Sequence, residues 1–162
     1  MNQTALVEMF RHNLWANLRL LDACMDLDGS ILQASVHGTY GAIGDTLFHF
    51  VRSEAGYLHR LQTGQPQPER DQEFPGLAAL REEARQNGEG LIRVAEDHDP
   101  DRKFAVRWQD GNTYDLPSAV YFAQAITHAA EHRSQIATIL TQQGIEPPDV
   151  SVWKWCEDTM IP

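Results

Sequence analysis

Cysteine is scarce in this chain of 162 residues, which has only Cys24 and Cys156. Neither belongs to a C-x-x-C pair, so the sequence excludes both a disulfide framework and a structural zinc knuckle built from paired thiolates. Cys24 lies near the end of an apolar segment and has no base within its local sequence. We therefore expect it to be a small buried side chain rather than a nucleophile.

Basic residues are also few. Thirteen Lys and Arg stand against 23 Asp and Glu, which gives a formal charge of −10. Binding to DNA or RNA depends on clustered Lys and Arg that contact phosphates, so this composition argues against a nucleic-acid partner. The same charge disfavours docking on an anionic membrane surface.

Long apolar runs are absent as well. No stretch approaches the roughly 18 residues that a membrane span requires. The N-terminus has no basic stretch followed by an apolar block, so a secretory signal is not expected. Apolar residues make up 42% and charged residues 22%, which is ordinary for a globular chain. We predict a single domain over residues 1–162, located in the cytoplasm.

Apolar side chains recur at intervals of three and four, the period of amphipathic helices. Four such helices are predicted, over about residues 3–27, 41–63, 76–97 and 117–143. Pro117 is predicted to open the last helix, and Gly144 follows its end. Gly88 and Gly90 weaken the pattern of the third helix, because glycine is a poor helix former.

The period changes between the third and fourth helices. Phe104, Val106 and Trp108 alternate with polar residues, and Asp110-Gly111 is a strong hairpin signal. The predicted fold is therefore an all-α four-helix bundle with a small β-hairpin between the third and fourth helices. The tail contains Trp153 and Trp155, which we expect to be packing or interface residues.

The fourth helix contains two histidines, His128 and His132, in the string "HAAEH". Residues four apart lie on one face of a helix, and this pair falls in the row predicted to face the bundle interior. The spacing leaves two interpretations open. The imidazoles are either hydrogen-bonded core residues or two ligands of one metal ion.

Known metal motifs do not resolve the choice. "HAAEH" matches the H-x-x-E-H pattern of one protease class. That class requires a further carboxylate ligand well downstream, and only 30 residues follow His132. H-E-x-x-H and E-x-x-H are absent, which excludes the usual zinc protease and di-iron arrangements. A third ligand would have to come from the remaining histidines: His12, His37, His49, His59 and His98. His37 and His98 lie in polar loops, and His12 and His59 lie off the apolar stripes of their helices, where we expect them to be solvated. His49 lies away from the centre of its apolar stripe, so periodicity alone does not select it.

Three segments resemble the DinB family. They are "FRHNLWANLRLLDAC" in the first helix, "LFHFVRSEAGYLHRL" in the second, and "HAAEHRSQIATILTQQG" in the last, similar to that family's H-x-x-x-H-R-G-Q-I helix. The similarity covers nearly the whole chain. It implies a four-helix bundle that binds a divalent metal through His49, His128 and His132. One departure is Ser134, where the family usually has glycine; it is small and should not disturb the metal.

The resemblance also implies a function. Relatives such as bacillithiol transferases and mycothiol-dependent isomerases use this site to activate low-molecular-weight thiols, so a metal-dependent thiol transferase is the leading expectation. A hydrolase that activates water uses the same three ligands, and a non-catalytic metal- or ligand-binding bundle is the third alternative. We expect zinc or nickel ahead of iron and manganese. The expected partners are a small-molecule substrate and a second copy in a homodimer.

Further polar residues fall on inward-facing rows. Asn13 and Asn17 are candidates to line a cavity in the bundle. Glu54 is either a proton acceptor, second-shell partner or fourth ligand at the metal, or a structural partner of Arg133. We favour the structural role. Arg133 and Gln135 are expected to orient helix contacts rather than react.

Overall fold

The computed structural model describes residues 3–69, 71 and 73–161. Four long helices carry the fold, at the positions that periodicity predicts. The elements in chain order are α1 Gln3–Met25, α2 Gly29–Leu32, α3 Ile43–Thr63, α4 Leu77–Glu96, β1 Lys103–Arg107, β2 Thr113–Pro117, α5 Ser118–Gln142 and α6 Val152–Thr159. The prediction of a mainly helical chain with one small hairpin is confirmed.

The long helices pack as a bundle, with α1 against α4 and α3 against α5, while α4 also contacts α3. Their apolar faces form two buried clusters. One is centred on Leu47, Phe50 and Ile136, and the other on Phe10, Leu91 and Phe122. The paired packing places α3 beside α5, and these helices carry the three histidines that the resemblance implies as ligands.

Gly88 and Gly90 have a packing role in α4. A Cβ atom at Gly88 would lie 2.5 Å from the Leu14 side chain, and one at Gly90 would lie 2.5 Å from that of Leu58. The missing side chains therefore allow α4 to approach both α1 and α3 closely. These glycines lower helix propensity by roughly 1 kcal/mol each, but the packed position compensates.

The hairpin pairs β1 and β2 antiparallel, with Phe104 opposite Leu116. Gly111 takes a positive φ of 83° in the turn, a conformation that favours glycine. Pro117 ends β2 and caps α5, which begins at Ser118 rather than at the proline itself. Gly144 has a φ of 73° directly after α5 and ends that helix.

The tail forms the short helix α6, in which Trp155 is buried and contacts the His12 ring edge to face. Trp153 has 81% of its surface exposed, so it does not pack within this chain. No helix in the described ranges is long and apolar enough to cross a membrane.

Candidate metal centre

Three histidine rings meet between α3 and α5. His128 and His132 lie one turn apart on α5, and His49 comes from the facing side of α3. The Nε2 atom of His128 is 3.1 Å from that of His49 and 3.1 Å from that of His132. We call these three residues the histidine cluster. Among the described residues, they are the group of three ligand-type side chains whose donor atoms lie within 4.8 Å of one another.

Gln135 determines which nitrogen of His132 faces the cluster. The backbone N–H of Tyr40 donates to Gln135 Oε1 at 3.2 Å, which identifies that atom as the amide oxygen. The same oxygen lies 2.9 Å from His132 Nδ1, so Nδ1 must be the protonated nitrogen. Neutral His132 therefore presents the lone pair of Nε2 to the cluster, as a metal ligand must.

Hydrogen bonding alone cannot satisfy the three converging nitrogens. His128 Nε2 faces two other Nε2 atoms, yet an imidazole nitrogen has either one proton or one lone pair. A lone pair on His128 Nε2 would face the lone pair of His132, and a proton there would have to be shared between two acceptors. A single cation that accepts all three lone pairs removes this conflict. In a tetrahedral site with bonds near 2.0–2.1 Å, ligand nitrogens are about 3.3 Å apart, close to the observed spacing.

The electrostatics favour neutral imidazoles. Burial, followed by the nearby His132 and His49, lowers the pKa of His128 to about 4. Burial and then His132 also lower the pKa of His49 from its ordinary 6.5. Metal binding requires deprotonated ligands, so these two rings need no proton release near pH 7.

Aromatic rings surround the cluster. Tyr40 stacks on His49 with centroids 4.0 Å apart, and Tyr57 meets His128 edge to face at 5.9 Å. Tyr40 thus contributes its ring to His49 and its backbone N–H to the partner of His132. These contacts restrict both rings before any ligand binds.

A groove of about 820 Å³ extends from His49 along α3. The side chains that line it share a position between α3, the connection after it and the start of α5. They include Tyr40, Asp45, Phe48, His49, Arg52, Ser53, Tyr57, Arg60, Gln67, Glu69 and Tyr121. Its size suits a small molecule. The histidine cluster therefore borders, through His49, a cavity that a substrate can enter.

A second polar group lies inside the bundle, and we call it the buried polar cluster: Asn13, Asn17, Glu54 and Arg133. Glu54 Oε1 accepts from Asn13 Nδ2 at 2.7 Å and Asn17 Nδ2 at 2.9 Å. Arg133 donates to the Oδ1 atoms of both asparagines, at 2.7 and 2.5 Å. The asparagines therefore bridge the two charged side chains.

This arrangement changes two of our expectations. Asn13 and Asn17 do not line the groove, because they bind charged side chains in the interior. Glu54 does not belong to the group of convergent histidines, and it interacts with Arg133 through amides rather than in direct contact. Burial raises the pKa of Glu54 to about 7, while the two amides and Arg133 oppose the rise.

Other histidines lie outside the cluster. His12 is half-buried, and its Nε2 lies 3.0 Å from the carbonyl oxygen of Val150, so the expectation that it is solvated is wrong. His98 packs edge to face on Phe122, while His37 is exposed. Cys24 is fully buried, as predicted, and burial raises the pKa of its thiol to about 12.

Sequence reasoning missed the contact between Gln135 and His132. A signal was present, because Gln135 follows His132 by three positions and so shares its face. Tyr40 had no comparable signal, since it lies in an irregular segment whose path only the folded chain defines.

Comparison with known proteins agrees with the fold. A search of curated proteins finds no match. Among solved structures, the crystal structure of a DinB-like protein from Bacillus cereus ATCC 10987 matches with a TM-score of 0.69 and 15% sequence identity. The match covers 93% of this chain and 100% of that one, which supports the shared fold. The family model of the DinB family matches residues 1–158. The chain thus belongs to the DinB family.

Proposed function

We propose that this protein is a metal-dependent enzyme that joins a low-molecular-weight thiol to an electrophilic small molecule. The observation that supports this proposal is the convergence of three imidazole nitrogens beside a groove. His49, His128 and His132 would hold a divalent cation, with zinc or nickel ahead of iron and manganese.

An open coordination position distinguishes catalytic from structural sites, which are usually closed by four protein ligands. No carboxylate or thiol within the described ranges joins the three histidines as a fourth convergent ligand. The groove begins beside His49, so a small molecule has access to the remaining position. When bound in such a site, a divalent cation lowers the pKa of a thiol or water that coordinates it.

Neighbouring side chains orient the rings of the metal ligands. Gln135 holds the His132 ring, and Tyr40 covers His49 and restricts access from its side. In the proposed reaction the thiol sulfur forms a bond to the electrophilic carbon. The leaving group departs with its bonding electron pair, and the proton that the thiol has lost passes to solvent.

The first experiment measures metal content. Tag-free protein is incubated with each of the four metals, dialysed and analysed by elemental mass spectrometry, beside the His49→Ala and His59→Ala variants. We expect near-stoichiometric metal in the wild type, loss in His49→Ala and retention in His59→Ala, which lies on the same helix outside the cluster. Wild-type protein that retains none of the metals contradicts the proposal.

The second experiment tests thiol chemistry. Cobalt-loaded protein is titrated with 2-mercaptoethanol, and a sulfur-to-cobalt charge-transfer band is expected on binding. Turnover is then measured as thiol-dependent release of chloride from an activated aryl chloride. A metal-loaded protein that binds no thiol but cleaves esters would indicate the hydrolase alternative. One that does neither would indicate a binding bundle.

A further inference from the structure

The groove runs along α3 from His49 to the positively charged guanidinium group of Arg60. His49, Ser53, Gly56 and Arg60 lie on one face of α3 at intervals of four, three and four, and all four line the cavity. A helix rises 1.5 Å per residue, so Arg60 begins about 16 Å along the axis from His49. The cavity therefore connects the histidine cluster to a guanidinium group.

Arg60 retains donors for a ligand. One of its terminal nitrogens donates to the carbonyl oxygen of Gly64 at 2.8 Å, and its guanidinium carbon lies 6.0 Å from the Tyr121 ring centroid. No carboxylate of the described chain lies within 4.0 Å of this group. Because an arginine side chain has five N–H donors, several stay available.

Arg52 also lines the groove, but the carboxylate of Glu83 already offsets its charge. Its Nε atom lies 3.4 Å from Glu83, and its guanidinium stacks over Phe48 at 5.1 Å. Two acidic residues line the cavity as well. Asp45 lies one turn before His49 on α3, at the histidine end, and Glu69 lies on the connection after α3. Asp45 disfavours an anion at the histidine end, and the Arg60 end is the favourable place for one.

The ligand must bridge the whole interval along α3. The Arg60 side chain extends toward Gly64, away from His49, so roughly 16 Å separates the two ends. One extended amino-acid residue spans about 3.5 Å, and three span about 10 Å. A molecule as small as cysteine would not reach both ends.

We propose that Arg60 is a specificity-determining residue that binds a carboxylate at the far end of an elongated reactant, whose reacting end lies at the histidine cluster. This proposal deepens the proposed function and rests on it for the identity of the reacting end. Arginine binds carboxylates through two parallel hydrogen bonds, a geometry that lysine does not reproduce. A chain with a net charge of −10 otherwise repels such a ligand.

The test uses two series of unbranched probes on zinc-loaded protein. One consists of ω-mercaptoalkanoates of increasing length, and the other of ω-mercaptoalkanols of the same lengths. Calorimetry measures their affinities. We expect the carboxylates to bind at least about tenfold more tightly than the alcohols once the chain spans roughly 16 Å, and shorter chains to show no such preference.

Variants assign the preference to Arg60. Arg60→Met should abolish it, Arg60→Lys should retain part of it, and Arg93→Met, which removes an exposed charge on α4, should leave it unchanged. Far-ultraviolet circular dichroism and zinc content confirm that each variant is folded and loaded. A carboxylate preference that survives in Arg60→Met, or wild-type protein that never prefers carboxylates, overturns the proposal.

The readouts separate this inference from the proposed function. The charge-transfer band of cobalt-loaded protein reports whether sulfur reaches the metal, and calorimetry with the matching methyl thioethers reports the carboxylate alone. If no thiol produces the band while the thioethers keep the Arg60-dependent preference, the thiol reaction fails and the anion site stands. If the band forms without that preference, the anion site fails. Carboxylated and neutral aryl chlorides, compared in the same way, show which reactant supplies the carboxylate.

Discussion

The histidine cluster and the buried polar cluster both include side chains of α3 and α5, and the second also includes two asparagines of α1, but the hydrogen-bonding states of their polar atoms differ. In the buried polar cluster, two asparagines bridge Glu54 and Arg133, and all four residues are at most 6% exposed. In the histidine cluster, three nitrogens face one another without complementary partners, and His49 borders the groove. Polar groups that satisfy each other support the fold, while converging lone pairs beside a cavity are available to a ligand.

The largest effect on the free energy of unfolding is expected for a substitution in the buried polar cluster. Glu54→Ala removes the acceptor of two asparagine amides and leaves the Arg133 charge without compensation. Removal of one partner of a buried charge pair costs about 3–5 kcal/mol. Urea unfolding of the metal-free protein measures the loss, with Glu89→Ala, a half-buried ion-pair residue on α4, as a control expected to cost less than about 1 kcal/mol. A small loss of stability accompanied by loss of metal would instead place Glu54 in the metal site.

A substitution in the histidine cluster should weaken metal binding and leave the stability of the metal-free protein nearly unchanged. His128→Ala is expected to weaken metal binding more than about a hundredfold, because even an outer partner of a ligand contributes 10–100-fold. Without metal, its free energy of unfolding should stay within about 1 kcal/mol of the wild type, since His128 Nε2 has at most one proton to share between two imidazoles and its Nδ1 atom has no partner in the described chain. Competition with a chromophoric chelator measures the affinity. Strong destabilisation of the metal-free variant would remove the distinction between the two clusters.

The pH dependence of stability sharpens the comparison. The pKa of Glu54 rises from 4.5 to about 7 on burial, so the folded state holds that proton more tightly. Its contribution is therefore complete below pH 4.5 and is lost as the pH rises through 7, by about 2–3 kcal/mol between about pH 5 and 8. Unfolding curves of metal-free wild type and Glu54→Gln should diverge over that range, with the variant less sensitive to alkaline pH. Parallel curves would show that Glu54 stays ionised in the fold.

The smallest effect is expected for Gln135, which orients the ring of the metal ligand His132. Gln135→Leu removes the acceptor of the His132 Nδ1 proton, so the ring loses its preferred orientation and tautomer. We expect metal affinity to fall by 10–100-fold while the metal still binds. Gln142→Leu, at an exposed position of the same helix, is the matched control and should bind metal as the wild type does. Equal affinities of the two variants would assign Gln135 to helix packing alone.

Much of the architecture was predictable because it depends on local patterns. Spacings of three and four placed the four long helices to within a few residues, and Asp110-Gly111 placed the hairpin turn. The same wheel put His132 and Arg133 on the inner side of the last helix. One expectation failed and one contact was incompletely foreseen, because both depend on pairing between distant segments. His12 is hydrogen-bonded to a tail carbonyl more than a hundred positions away, and the charge of Glu54 is linked to Arg133 through asparagines of α1.

By itself, the sequence determined the helices, the hairpin, the inward pair on α5 and, through resemblance, the residues to examine as ligands. These features follow from residues close together in the chain, where period and turn chemistry apply. Only the tertiary structure decided that His49 meets that pair, that Tyr40 and Gln135 orient the rings, and that Arg60 stands at the far end of a groove. These relations depend on how α3 and α5 pack and on where an irregular segment passes, and no local pattern specifies the distance between side chains on different helices.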